Sequence, residues 1–141
     1  MSTIAALDVG LKRIGVALCL DGVTALPQVA ILRRNRNQAA RDVVAFLKEW
    51  RVDVLIVGVP RGGSSEEEMD RRIRHFVGLL ELPETIAVHY QDEAGSSQEA
   101  KEQMQGHIRH KRDGRSESFA AKIILDRWLT VRPQQKRSAE T

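Results

Sequence analysis

Apolar residues along this chain fall into two rhythms, and their order sketches a sheet. Ile4-Ala5-Ala6-Leu7-Asp8-Val9 and Ile14-Gly15-Val16-Ala17-Leu18-Cys19 are short continuous apolar runs, the pattern of buried strands. They predict strands over 3–9 and 14–20, joined by a turn over Gly10–Arg13. Asp21-Gly22 is a hairpin signal leading to a third strand near 25–32, so the first three strands form an antiparallel meander. Helical spacing takes over next, with Ala40, Val43, Val44, Leu47 and Trp50 forming the apolar face of a helix over 37–50. Val52 to Val59 is again nearly continuous, as expected of a central strand buried on both faces and paired in parallel.

Pro60 ends that strand, and Arg61-Gly62-Gly63 makes a flexible connection. Ser64 with Glu67, or Ser65 with Glu68, reads as a capping box opening a second helix. Its acidic triplet, Glu66 to Glu68, suits the positive end of the helix dipole. Met69, Ile73, Phe76, Val77 and Leu80 supply its buried stripe. A fifth strand over 85–91 ends at Asp92-Glu93. A helix over 97–105 follows, then a polar basic loop from Gly106 to Gly114. A last helix over 116–130 carries Ala120, Ala121, Ile124, Leu125, Trp128 and Leu129 on its apolar face. The sum is an α/β fold with a mixed five-stranded sheet: strands one to three antiparallel, strands four and five parallel, helices on its faces. One domain spans 1–131, and the polar residues 132–141, which include Pro133, form a tail expected to fray.

A length of 141 residues fits one domain with its own core. The 42% apolar content excludes general disorder. No apolar run is long enough to span a membrane, and no basic segment followed by a long apolar stretch opens the chain. Cys19 is the only cysteine, which rules out an intrachain disulfide and a cysteine zinc site and points to a reducing, cytoplasmic compartment. The net charge of +3 is only mildly basic, but the cations are grouped at Arg33, Arg34 and Arg36, at Arg71, Arg72 and Arg74, and from Arg109 to Arg115. Each group alone reads as a solvated face. Three in one small domain favour a polyanionic partner.

The candidate chemistry lies in carboxylates at element ends. Asp8 interrupts a run expected to be buried, where an unpartnered carboxylate is costly. A metal ion would compensate it, and a turn or a pairing with Lys12 or Arg13 is the alternative. Asp92 and Glu93 end strand five, Asp92 reading as a turn residue. Glu117 precedes Ala120 and Ala121 by three and four residues, on the core-facing side of its helix. Clustered carboxylates repel one another, and divalent cations relieve that conflict. Mg2+ or Mn2+ bound by oxygen ligands can activate water and stabilise the leaving oxygen of a phosphodiester. His75 and His89 read as packing or surface residues, and His107 and His110 as solvated or phosphate-contacting. The Gly62-Gly63-Ser64-Ser65 loop lacks the lysine and spacing of a P-loop.

Four motifs in order resemble one family. They are Leu7-Asp8-Val9-Gly10-Leu11-Lys12-Arg13-Ile14-Gly15-Val16-Ala17, Ile56-Val57-Gly58-Val59-Pro60, Asp92-Glu93, and Glu117-Ser118-Phe119-Ala120-Ala121-Lys122-Ile123-Ile124-Leu125. The chain is similar from about Ala5 to Leu129 to the YqgF (RuvX) family, described both as Holliday junction resolvases and as pre-16S rRNA nucleases. The resemblance implies an RNase H-like fold and a nuclease dependent on Mg2+ or Mn2+ held by Asp8, Glu93 and Glu117. It departs from the family pattern at Glu117, where the family usually has Asp. At Ala94 the family has arginine, and at Gly95 it commonly has an apolar residue; Ser96 and Ser97 keep the usual hydroxyl pair. Lys12, Arg13, Arg109, Lys111, Arg112 and Arg115 would hold backbone phosphates. The expected partner is structured precursor rRNA, with a role in 5′-end processing and ribosome biogenesis. A four-way DNA junction is the alternative and would call for a homodimer with two active sites. A non-catalytic RNA-binding assembly factor is the reading of a different class. Nucleotide binding, suggested by the Asp-x-Gly opening, would need a second such domain.

Overall fold

The computed structural model describes residues 2–60, 64–92 and 118–140. Strand β1 (Ile4–Val9) pairs antiparallel with β2 (Arg13–Cys19), in a register that sets Asp8 opposite Gly15. The third strand is not continuous. It is two short pieces, β3 (Leu26–Pro27) and β4 (Ile31–Leu32), each antiparallel to β2. Leu26 and Pro27 face Leu18 and Ala17, whereas Ile31 and Leu32 face Ile14 and Arg13, so residues 28–30 lie opposite only Gly15 and Val16. One residue more on this side than on β2 is the count of a bulge, which breaks the ladder on an edge strand. Pro27, with no N–H to give, adds to the break.

Helix α1 (Arg36–Glu49) is capped by Asn35, whose side chain accepts from the Gln38 N–H while Gln38 reaches back to the Asn35 backbone. Its buried face is Ala39, Ala40, Val43 and Leu47. Trp50, expected on that face, is 37% exposed because it is the C-cap, already leaving the helix, and it lies against Phe46. The helix then closes through a left-handed Arg51 (φ 50°), with Val52 N–H bonding the Leu47 carbonyl and Arg51 N–H that of Lys48. This is a Schellman ending built without glycine.

Strand β5 (Val54–Val59) joins β1 in parallel, and β6 (Ala87–Asp92) joins β5 in parallel. The sheet order is therefore β3-β2-β1-β5-β6, with β4 also on β2. Five-strand width and mixed pairing agree with the pattern; the split third strand makes six segments. Helix α2 (Ser64–Leu79) lies between β5 and β6 and takes in both serines expected to precede it. Glu68 pairs with Arg72 one turn further along the helix. Ile73, Phe76, Val77 and Leu80 are buried, but Met69 is 39% exposed, one turn too near the helix start to reach the core. Helix α3 (Phe119–Glu140) follows a single tight turn at Ser118 and outruns its expected end at 130. Pro133 removes one ladder bond, and the flanking Gln, Lys, Arg and Ala residues are good helix formers. The helix expected over 97–105 and the basic loop over 106–114 lie outside the described residues.

Strand alternation sorts the core into two layers. Ala5, Leu7, Val9, Ile14, Val16, Leu18, Leu55, Val57 and Val59 face α1 and α2. Ile4, Ala6, Ala17, Cys19 and Ile56 face α3, which returns Ala121, Ile124, Leu125 and Leu129. Both layers contain fully buried side chains, as a central strand covered on each side requires. Ala6 and Ala17 keep the α3 side shallow, which lets that helix lie close to β1 and β2. Cys19 is buried in this layer, and burial pushes its thiol above the usual range, so it stays neutral. Among the described residues, no helix is long and apolar enough to cross a membrane.

Candidate active site at the end of β1

Asp8 belongs to the α3 face of the sheet. It follows Ala6 and Ile4 in the alternation, and it is half-buried at the C-terminal end of β1. Gly15 is its partner on β2. On the other side the register pairs Leu7 with Val57, and one further step puts Gly58 beside Asp8. The carboxylate thus stands in a row with no side chain on either neighbouring strand. Glycine on both neighbouring strands keeps side chains of β2 and β5 away from the carboxylate.

The turn that follows is tight. Gly10 N–H donates to the Arg13 carbonyl at 3.0 Å, and Arg33 Nη1 donates to the Gly10 carbonyl at 2.9 Å. A Cβ on Gly10 would lie 2.5 Å from the Arg13 carbonyl oxygen, a backbone atom that cannot swing aside. Gly10→Ala should therefore open the turn and destabilise the protein by about 1–3 kcal/mol, read as a lower denaturant midpoint with an unchanged m-value. Lys12 and Arg13 are exposed at this edge, as a phosphate-holding role needs.

The start of α3 is fixed by Ser118. This residue is completely buried, and its Oγ accepts the Val16 N–H at 2.9 Å. The Val16 carbonyl accepts from Gln28 N–H at 2.8 Å, as in a regular ladder pair. The matching N–H is given to Ser118 where the third strand bulges away. Val16 adjoins Gly15, the partner of Asp8, so the hydroxyl ties the entry of α3 to the Asp8 row. Ser118 was legible in the sequence only as part of the last motif; a serine beside an acid at a helix start is the signal that could have singled it out.

Asp92 is on the other face. Within β6, His89 lies against Trp128 of α3 and Tyr90 lies under Arg74 of α2, so alternation sends Asp92 with Tyr90 toward α2. Its carbonyl oxygen lies 3.5 Å from Arg127 Nη1, which links the end of β6 to α3. Glu93 and Glu117, together with Arg109, Lys111, Arg112 and Arg115, lie outside the described residues. Among the described residues, no three His, Cys, Asp or Glu side chains form a group that could hold a metal.

The chain is similar to known proteins over most of its length. A family model described as RuvX, Holliday junction resolvase, matches residues 2–131. A protein of Sulfurovum sp. (strain NBC37-1) named "Putative pre-16S rRNA nuclease" is 66% identical over 128 residues, 91% of this chain and 98% of that one. A protein of the same name from Campylobacter jejuni (strain RM1221) is 54% identical over 126 residues, 89% of this chain and 97% of that one. Among solved structures, T. thermophilus RuvC in complex with Holliday junction substrate superimposes with a TM-score of 0.61 at 13% identity, covering 95% of this chain and 97% of that one. The Fowlpox virus resolvase bound to Holliday junction DNA gives a TM-score of 0.52 at 16% identity, covering 90% and 98%. These two likenesses speak for the fold, which is RNase H-like. On the strength of the family model and of relatives matched almost end to end, the chain belongs to the RuvX family.

Proposed function

We propose that this chain hydrolyses phosphodiester bonds in nucleic acid with the help of a divalent cation held by Asp8, Glu93 and Glu117. We take its substrate to be precursor 16S rRNA, trimmed at the 5′ end in the cytoplasm. The observation that carries the reading is the setting of Asp8, a half-buried carboxylate between two glycines at the C-terminal end of β1, on the face where α3 enters. Ser118 supports the part given to Glu117, since it anchors the residue next in the chain to Val16, beside the Asp8 row. The parity of β6 supports Glu93 over Asp92, because Asp92 falls on the α2 face.

The donor set suits the ion. All three proposed ligands are carboxylates, hard oxygen donors of the kind Mg2+ and Mn2+ prefer. Glu117 in place of the usual Asp reaches one methylene further. Bound there, the cation would supply an activated water and neutralise charge developing on the phosphate. The protein's own part would be to present the three carboxylates, to keep strand side chains away from Asp8 through Gly15 and Gly58, and to steady backbone phosphates with Lys12, Arg13 and the cations of 109–115.

The family description favours a second substrate, a four-way DNA junction, which would require two copies of the chain to place two sites. Labelled pre-16S leader RNA and a synthetic junction, incubated with purified protein in Mg2+, in Mn2+ and in chelator, separate these readings. Cleavage of the leader RNA in the presence of metal and none in chelator is the expected result. Cleavage of the junction alone would transfer the activity to DNA. RNA binding that needs no metal and leads to no cleavage would overturn the enzyme in favour of an assembly factor.

A further inference from the structure

A basic groove lies on the opposite face of the sheet from Asp8, between the end of β1 and the helices α1 and α2. It has a volume of about 560 Å³ and is walled by Arg33, Arg36, Arg71 and Arg72 over an apolar floor that includes Val9 and Phe76. Two of the arginines are engaged. Arg33 holds the Gly10 carbonyl and lies 5.3 Å over the Phe76 ring, and Arg72 is paired with Glu68 at 2.7 Å. Arg36 and Arg71 are exposed, and neither has a carboxylate partner among the described residues. Four guanidinium groups against one carboxylate in a concave site repel one another and focus a positive potential. The group that relieves this is an anion able to meet two separated cations.

The setting points to a polyanion. The groove begins at Val9, the residue after Asp8, and Arg33 is bonded to the next residue, Gly10. Groove and Asp8 are therefore mounted on one strand end, on its two faces, with the exposed Lys12 and Arg13 at the edge between them. Cations placed on both sides of one edge follow a chain of phosphates passing over it. Leu11, 73% exposed, and Met69, 39% exposed, line the same groove. They offer apolar surface to a ribose or base and nothing that reads a base edge. Phe76 is 2% exposed and covered by Arg33, so its ring is closed to stacking; the exposed His75 is the ring that the groove presents.

We infer that this groove holds the phosphate backbone of a single-stranded segment of the substrate as it runs away from the Asp8 centre, with Arg36 and Arg71 as its contacts and no base preference. The inference rests on the reading of the chain as a protein that acts on nucleic acid, and it is tested by binding alone. An unstructured single-stranded RNA would be titrated in chelator over a range of salt concentrations against the wild-type chain, Arg36→Gln/Arg71→Gln, and Arg41→Gln/Lys48→Gln. The last variant loses the same charge from α1 outside the groove. Each lost phosphate contact to a single strand lowers the log–log salt slope by about 0.7. The groove variant should therefore lose about 1.4 from the slope and bind about 10- to 30-fold more weakly near 0.1 M salt, with an unchanged melting temperature, while the control variant stays close to wild type. Equal affinity and slope for wild type and groove variant would overturn the inference, as would an equal loss in the control, or an absence of single-stranded RNA binding by the wild type. Metal-dependent cleavage by the wild-type chain reports separately on the nuclease reading, and the Arg41→Gln/Lys48→Gln control should keep it.

Discussion

In Asp8→Asn, metal-dependent cleavage of the substrate falls about a thousandfold or more while the protein stays folded. The loss corresponds to roughly 4 kcal/mol of transition-state stabilisation. Asparagine has the shape of aspartate and keeps one oxygen, so packing at a half-buried strand end barely changes. What disappears is a full negative charge at the proposed cation site. On the neighbouring strands β2 and β5 the positions beside Asp8 are Gly15 and Gly58, which carry no charge to replace it. Asp92, the next acid in the described sheet, is on the other face. Single-turnover cleavage in Mg2+ and Mn2+, set against the chelator baseline, reads the first half of the prediction. A thermal melt reads the second, with a shift of no more than about 1 kcal/mol in stability, within the range of surface or half-buried isosteric changes. Full activity in the variant would remove Asp8 from the site. Loss of activity together with loss of the fold would make it a structural residue.

The parts of the architecture that were legible in the sequence are those fixed by burial on both sides. The run from Val54 to Val59 has no polar position, and a strand of that kind can only lie between two covered faces; it sits between β1 and β6. The parity of Asp8 was legible too, since Ile4 and Ala6 share its face. Elements whose ends depend on a single turn of backbone were not. Trp50 has the spacing of a core residue, but the Schellman ending at Arg51 takes it off the helix face. That ending has no glycine to announce it. Met69 likewise has the spacing but not the depth. The break in the third strand depends on one extra residue relative to β2, which no period reveals. At the site, the acids that the sequence put forward are of two kinds. Asp8 is set by a strand register that hydrophobic alternation fixes. Glu93 and Glu117 lie outside the described residues.

The same break gives Ser118 its importance, and Ser118→Ala should cost both stability and rate. The variant leaves the Val16 N–H buried without an acceptor, because the Ser118 site is fully enclosed and the third strand meets Val16 only through the Gln28 N–H, which bonds the Val16 carbonyl. An orphaned buried donor costs about 1–3 kcal/mol, which for a chain of this size lowers the melting temperature by roughly 3–10 °C. The effect on catalysis should exceed what unfolding explains. Ser118 ties the entry of α3 to the strand that pairs with Asp8, and loosening the segment proposed to present Glu117 by a fraction of an ångström should cost about 10- to 100-fold. Single-turnover rates at saturating metal, taken well below the melting transition, separate the two effects. A drop in rate with little change in RNA affinity identifies Ser118 as a positioning residue that holds the acid before it in register with Asp8. A rate that tracks only the folded fraction would confine its role to capping the ladder of β2. An unchanged melting temperature would show that Val16 finds another acceptor, and the hydroxyl would then have no part in either.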